Sequence, residues 1–424
     1  MMNRVIDILK RREGISDWKI NRVRTESTEL FFVGRSLETV RSTDTTDLKV
    51  TLYVSHDEAL GEATFSVYSS YGDEKIEEEI EKAKKKAGII SNKPYSIPEN
   101  DKGEYASSSN FADYSPRALA ALISEACFES DCVEGGSINA LEIFVYRDEI
   151  TVVNSRGIDK TQIKYRAMVE AIPTFNGEES VELYEQYNFT EFDRATVTQE
   201  IASKMSEVKD RYSAKAPKEK LSCPVVLGAP ELEQLLGRFV GNLNFSSVYQ
   251  HSNAFSVGDD IQQEAKGDKI TVTMRGKVKG SVSSSAFDGD GVTLVDKTVI
   301  ENGKAVSLWG GTRFAQYLGE VATGNLGCIS VECGTLTHNE LCSSPYFRCA
   351  SMSGLQVDIY NDYIGGEVRL GYYFDGEKEM PVTGISISGK LSAALANIRL
   401  SAEETTYESY RGPKCALLGG VEIV

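Results

Sequence analysis

The residues from which a metal centre or a covalent nucleophile would have to be assembled are few: three histidines, His56, His251 and His338, and eight cysteines in a chain of 424 residues. The histidines are scattered, so no Ser-His-Asp arrangement can be read from their order. A hydrolytic metal needs three protein ligands and an open position for an activated water. Cys127 and Cys132, and again Cys328 and Cys333, are spaced more widely than the Cys-x-x-Cys of common zinc sites. Cys328, Cys333, His338 and Cys342 form the one grouping of metal-type side chains, and reduced buried thiols in such a grouping otherwise serve as small apolar side chains. Ser252 and Cys333 are the nucleophiles left for a hydrolase that uses no metal.

The element best placed to carry a site is a helix expected over residues 230–243, within PELEQLLGRFVGNLNFSSVYQH, followed by a loop to His251. Pro230 suits a first turn, where a missing N–H loses no bond, and Glu231 and Glu233 favour the positive end of the helix dipole. Leu232, Leu235, Leu236, Phe239, Val240 and Leu243 recur at the spacing of one buried face. Gly237 and Gly241 lie one turn apart on another side, and each costs about 1 kcal/mol relative to Ala in a helix interior. Their stripe, flanked by Arg238 and Asn242, has room for a closely packed backbone or for an extended ligand.

The run LLGRFVGNLNFSSVYQHSNAF resembles the central helix of the TldD/PmbA family, linked to proteolytic peptide maturation and once named modulators of DNA gyrase. TldD-like members carry His-Glu-x-x-x-His there, two metal-binding imidazoles and a carboxylate that acts as general base. Aligned on the Leu-Leu pair, Gly237 and Arg238 stand in place of the first His and the Glu, and Asn242 in place of the second His. The resemblance therefore implies the PmbA, or TldE, branch, which lacks the metal motif and partners a TldD-type protease. Asn154-Ser155-Arg156-Gly157, Gly324–Asn325 and the stretch GRSLETVRSTDTTDLKVTLYV are similar to further family elements. So is DGDGVTLVDKTVIENGKAVSLWGG, where Asp290 replaces the family's usual Glu. The run IGGEVRLGYYFDGEKEMPVTGISISGKLSAALANI resembles the module that walls the family's peptide cleft, which makes Ser386 and Ser388 substrate-binding candidates beside Gly237, Arg238, Gly241 and Asn242. Cys415 is nearest to the family's C-terminal sulfur ligand, but Lys414 and Ala416 depart from the pattern around it.

Composition bounds the rest. A net charge of −17 repels a phosphate backbone, so direct nucleic-acid binding is disfavoured. No apolar run is long enough to span a membrane, and MMNRVIDILKRREG is too charged for a signal peptide, so a soluble, cytoplasmic protein is expected.

The expected fold is α+β, with N-terminal α/β layers followed by a Gly-rich, mainly antiparallel C-terminal domain around the central helix. Residues 1–95 form an N-terminal domain with a helix over 3–12, strands over 17–26, 29–33, 37–42, 48–55 and 61–69, and a charged helix over 73–87. Residues 92–114 hold Pro94 and Pro98 without periodicity and read as a linker loop. The middle domain, 96–220, starts a helix at Ser115–Pro116, has strands over 140–146 and 149–154 turning at Arg147–Asp148, and ends with a helix over 193–214. Residues 221–424 hold short strands, with hairpin turns at Asn302–Gly303 and Asp375–Gly376.

The resemblance implies a noncatalytic subunit, with no cofactor, that pairs with itself or with a TldD-like metallopeptidase to enclose unfolded peptides. A regulatory adaptor without a part in proteolysis is the alternative, and a metal-independent hydrolase the third. Purified protein is expected to carry no stoichiometric zinc or iron, because Gly237, Arg238 and Asn242 cannot rebuild a two-histidine site. Elemental analysis finding about one metal per chain, lost on replacing Cys328 or Cys333, would overturn this.

Overall fold

The computed structural model describes residues 1–131 and 133–424. Cys132, the second member of the first cysteine pair, lies outside the described residues. The architecture is α+β, with three mostly antiparallel sheets of eight, six and nine strands.

The first sheet grows from one long strand, Asp17–Val33, which alternates large apolar and polar residues. Gly34, at φ 54°, opens a two-residue turn into Ser36–His56, and the other edge of Asp17–Val33 pairs with Gly136–Asn154 from Lys19↔Asn154 to Val33↔Ala140. Ala59–Ser66 extends the sheet on one side, and Asp159–Asn176 with Lys102–Tyr105 on the other. A single sheet thus runs through residues on both sides of position 95. Strand alternation sends Ile20 and Leu30 to one face, where Ile20 packs with the helices Met2–Leu9 and Asp73–Ala87, and Leu30 with Pro116–Glu129 and Arg194–Ser213. Ser115 and Asp193 cap the last two helices by accepting from the backbone N–H groups of Ala118 and Thr196 at 3.2 and 2.9 Å.

Several local expectations are corrected by this pairing. Arg147 and Asp148 do not turn: they sit inside one continuous strand opposite Glu26 and Thr25, where Arg147 meets the Glu26 carboxylate and Asp148 accepts from the Thr25 hydroxyl at 2.6 Å. Two charged residues in sequence look like a turn until the neighbouring strand supplies their partners. The break between residues 26 and 29 is absent for the same reason. The segment 92–114 is not all loop, since Lys102–Tyr105 joins the sheet parallel to Asp159–Asn176. Along Ser36–His56, by contrast, Ala59–Ser66 covers only the residues from Lys49 onward. Residues 36–47 have one strand neighbour among the described residues and are exposed.

In the C-terminal half, the helix Ala229–Asn242 is enclosed by two sheets. Leu232, Leu235, Leu236, Phe239 and Val240 are buried in one core with Val272, Ile300 and Val331 of the six-stranded sheet and Phe347, Ile364, Ile387 and Leu418 of the nine-stranded one. The Glu231 carboxylate accepts from the Gly228 N–H at 3.1 Å at the helix start, and the Trp309 indole donates to the Val240 carbonyl at 2.8 Å near its end. The expected loop to His251 contains a further short helix, Phe245–Tyr249, because the Asn244 side chain accepts from the Ser246 N–H at 2.9 Å and caps it. Asn302 and Gly303, at φ 50° and 78°, form the expected hairpin turn. No helix among the described residues is long and apolar enough to cross a membrane.

Leu235 is fully buried between the sheets. Leu235→Ala is expected to lower unfolding stability by about 2–5 kcal/mol, the cost of a cavity in a packed core. A loss below about 1 kcal/mol in denaturant titration would show that the helix does not organise this half of the chain.

Candidate functional site

The bare stripe of the central helix is open. A side-chain carbon built on Gly241 would meet nothing within 4 Å, and one on Gly237 would make only an ordinary contact with Ile329 at 3.8 Å. Close packing of another backbone is therefore not what holds glycine at these two positions. Arg238 is exposed beside them. Asn242 is a clip: its amide donates to the Arg238 carbonyl at 2.8 Å while its oxygen accepts from the Ala254 N–H at 2.6 Å, fastening the 251–255 loop to the helix. Gly237 and Asn242 are five residues apart, so they project about 140° apart around the axis.

Ser386 and Ser388 lie elsewhere. Their strand, Ile385–Lys390, is paired on both sides, with Tyr363–Phe374 and with Val421–Ile423. Ile385 and Ile387 enter the core that holds the helix, so alternation turns the two serines to the opposite face. Gly237, Arg238 and Gly241 share the open side of the helix, Asn242 is engaged with the 251–255 loop, and the serines lie on the far side of the sheet.

The cysteine grouping also rearranges. Cys328 sits apart, its sulfur 3.4 Å from the Ser281 hydroxyl. His338 Nδ1 lies 3.8 Å from Cys342 Sγ and 3.4 Å from the sulfur of Cys415. Burial pushes the Cys342 thiol up to about 11 and raises Cys415 as well, so both are protonated near neutral pH beside the imidazole. No three His, Cys, Asp or Glu side chains among the described residues are arranged to hold a metal ion. The Ser252 hydroxyl donates to the Ser247 carbonyl at 3.2 Å.

A site that sequence reasoning missed lies where the first sheet meets the C-terminal half. With Ile20, Val50 and Leu52 in the helix-covered core, alternation presents Lys19, Thr51 and Tyr53 on the other face, across from Asp290 and the short helix Thr312–Leu318. They line a cavity of about 370 Å³. Lys19 bridges to Asp290, and Arg313 to Glu62 at 3.0 Å. Burial would push the Lys19 ammonium down, but the Asp290 carboxylate outweighs it and holds the group above its ordinary value. Asp288, just behind, is pushed up by burial and by the neighbouring Asp290 charge, and it accepts from the Asn325 N–H at 3.0 Å. Tyr95, pushed up by burial, donates to Glu62 at 2.9 Å. The Thr312 hydroxyl, on a residue only 7 % exposed, is the one buried side-chain polar atom left without a partner among the described residues. Two opposed ion pairs, hydroxyls and amides suit a polar ligand of no net charge. Asp290 and Asn325 stand out in the sequence as family-like elements, but Lys19, Glu62, Tyr95 and Arg313 carry no local signal.

Asn154-Ser155-Arg156-Gly157 is a fastener within the N-terminal part of the chain. Asn154 donates to the Pro98 carbonyl at 2.7 Å, and Arg156 grips Asp17 at 2.7 Å, while Gly157 takes φ 93°.

Residues 220–423 match the family model of the PmbA/TldA metallopeptidase C-terminal domain. The whole chain has the fold of TldE from Thermococcus kodakarensis, with a TM-score of 0.81 at 18% identity, covering 100% of this chain and 99% of that one. It is similar also to proteins named as modulators of DNA gyrase from Thermotoga maritima, with a TM-score of 0.79, 15% identity and coverage of 100% and 99%, and from Bacteroides thetaiotaomicron, with a TM-score of 0.81, 15% identity and coverage of 100% and 97%. No curated protein matches the sequence.

Asp290→Asn should cost about 1.5–3 kcal/mol, the scale of a charge-assisted hydrogen bond, because it leaves the Lys19 ammonium beside a neutral amide. Asp290→Glu keeps the charge and should restore most of the loss. Equal unfolding midpoints for all three proteins would show that the bridge does not fasten the junction.

Proposed function

From a chain that belongs, through residues 220–423, to the PmbA/TldD family, we propose a noncatalytic TldE-like subunit that helps a metal-bearing partner enclose unfolded peptides for proteolysis. The observation that carries this reading is the central helix. Its enclosing sheets are intact, while the positions of the metal motif hold Gly237, Arg238 and an Asn242 committed to a structural clip. A scaffold kept without its catalytic residues fits a role in holding substrate or partner. The open stripe at Gly237 and Gly241, beside the exposed Arg238, is the proposed contact for an extended peptide, and Ser386 and Ser388 are a second proposed contact on the other face of the sheet. Assembly as a homodimer or with a TldD-like subunit, in the cytoplasm, completes the proposal.

The test is reconstitution. This protein alone should leave unfolded peptides uncut, and a mixture with a co-resident His-Glu-x-x-x-His homologue should cut them and lose activity on chelation. Gly241→Leu, whose side chain enters open space, should weaken the mixture without changing the circular dichroism spectrum. Cleavage by this chain alone in excess chelator would overturn the subunit reading and point to a Ser or Cys nucleophile. Failure of every co-resident homologue to bind it would point instead to the adaptor.

A further inference from the structure

Four side chains of the strand Asp159–Asn176 project in a row on its face away from the helices: Lys160, Gln162, Lys164 and Arg166. Three of them have partners. Lys160 bonds Asp101 and, at 2.6 Å, the Thr293 hydroxyl; Gln162 bonds Ser285 and the Ala286 N–H; Arg166 bonds Asp148 at 3.2 Å. Lys164 has no hydrogen bond or ion pair among the described residues, although most of its side chain is covered. Asp148 stands directly opposite on the neighbouring strand, where it accepts from Thr25 and Arg166 and attracts the Lys164 charge without bonding it.

Lys164 opens into a cavity of about 320 Å³ between the first sheet and the 277–286 loop, separate from the cavity at Lys19 and Asp290. The walls include Tyr105 and Val278, with the Lys277 ammonium 5.4 Å from the centre of the Tyr105 ring. Lys279 stands at the rim, near Glu191 at 3.8 Å. Three lysines against one glutamate make this cavity locally positive in a chain of net charge −17. A covered ammonium that has lost water and bonds no carboxylate is costly, and an incoming anion is what would offset that cost.

We propose that this cavity binds the anionic head, carboxylate or phosphate, of a small ligand with an aromatic or apolar body, and that Lys164 is the residue that receives the head. Tyr105 and Val278 flank the body, and Lys277 and Lys279 draw the anion in from the rim. Burial lowers the Lys164 ammonium from its ordinary value even against the attraction of the Asp148 carboxylate, in keeping with a cation that no bonded counter-ion holds. The inference is independent of the peptide-holding role and uses none of its residues.

The probes are phenyl phosphate, benzoate and the neutral benzyl alcohol, titrated calorimetrically into the full chain at physiological salt. Saturable binding of phenyl phosphate, benzoate or both, without binding of benzyl alcohol, is expected, and the comparison of the two anions shows which head the site prefers. Lys164→Gln should lose about tenfold or more in affinity, the size of one charge-assisted hydrogen bond, and Lys164→Arg should retain most of it. On the unmodified protein, the bound anion should slow acetylation of Lys164, read by mass spectrometry, while the exposed Lys218 reacts at its usual rate; this arm stands even if a Lys164 variant fails to fold. Non-saturating titrations, undiminished affinity in a folded Lys164→Gln, or acetylation of Lys164 unaffected by either anion would overturn the assignment.

Discussion

The apolar face of a helix of 14 residues has to be buried on more sides than one sheet can offer, and the C-terminal half of the chain is shaped by that requirement. Leu232, Leu235, Leu236, Phe239 and Val240 wrap far enough around the axis to need walls from both sheets. Once those walls are in place, the side of the helix that carries Gln234, Gly237, Arg238 and Gly241 is left toward solvent. The surroundings hold the helix through its polar ends as well, by Glu233 accepting from the Ser409 N–H at 3.0 Å and by the Trp309 indole on the Val240 carbonyl. The helix is thus a fixed post whose one uncovered side is defined by what the sheets cannot reach.

Much of this was legible in advance where the signal is local. The 3.6-residue spacing from Leu232 to Leu243 predicts the central helix, Ser115 and Asp193 mark helix starts that their side chains do cap, and Asn302–Gly303 adopts the two positive φ values its hairpin requires. The errors share a cause: the deciding partner is far away in sequence. Arg147 and Asp148 read as a turn because Glu26 and Thr25 are not adjacent in the chain, and Lys102–Tyr105 reads as loop because its strand neighbour starts at Asp159. The candidate sites were legible to the same extent. The open stripe follows from two glycines on one helix, whereas each junction cavity is assembled from side chains of separate segments whose meeting depends on how the sheet faces the C-terminal half.

That meeting is governed by charge more than by apolar contact. Lys19 bridges to Asp290 and Arg313 to Glu62 across the junction, and the fully buried Lys160, whose carboxylate partner Asp101 lies in its own half, donates to Thr293 across it. A buried ion pair adds little net stability over a well-packed apolar pair, yet removing one member is costly because the other is stranded. Such contacts act as pins: they penalise every docking of the two halves except the one in which these cations meet their partners across the junction. The apolar cluster of Val152, Ile158, Ala286 and Phe287 supplies attraction that is tolerant of small slips, and the pins remove that tolerance.

The uncovered stretch of Ser36–His56 gives one strand two different relations to water. Successive N–H groups of an antiparallel strand point to opposite sides, so between Ser36 and Asp47 every second amide is bonded to Asp17–Val33 and the ones between face solvent. From Lys49 onward, Ala59–Ser66 takes up the outward-facing groups as well. Along a single strand, amide protons would therefore exchange with solvent in an alternating fast and slow rhythm that fades into uniform protection near its middle, a record of where the sheet ends written into the timescales of individual backbone groups.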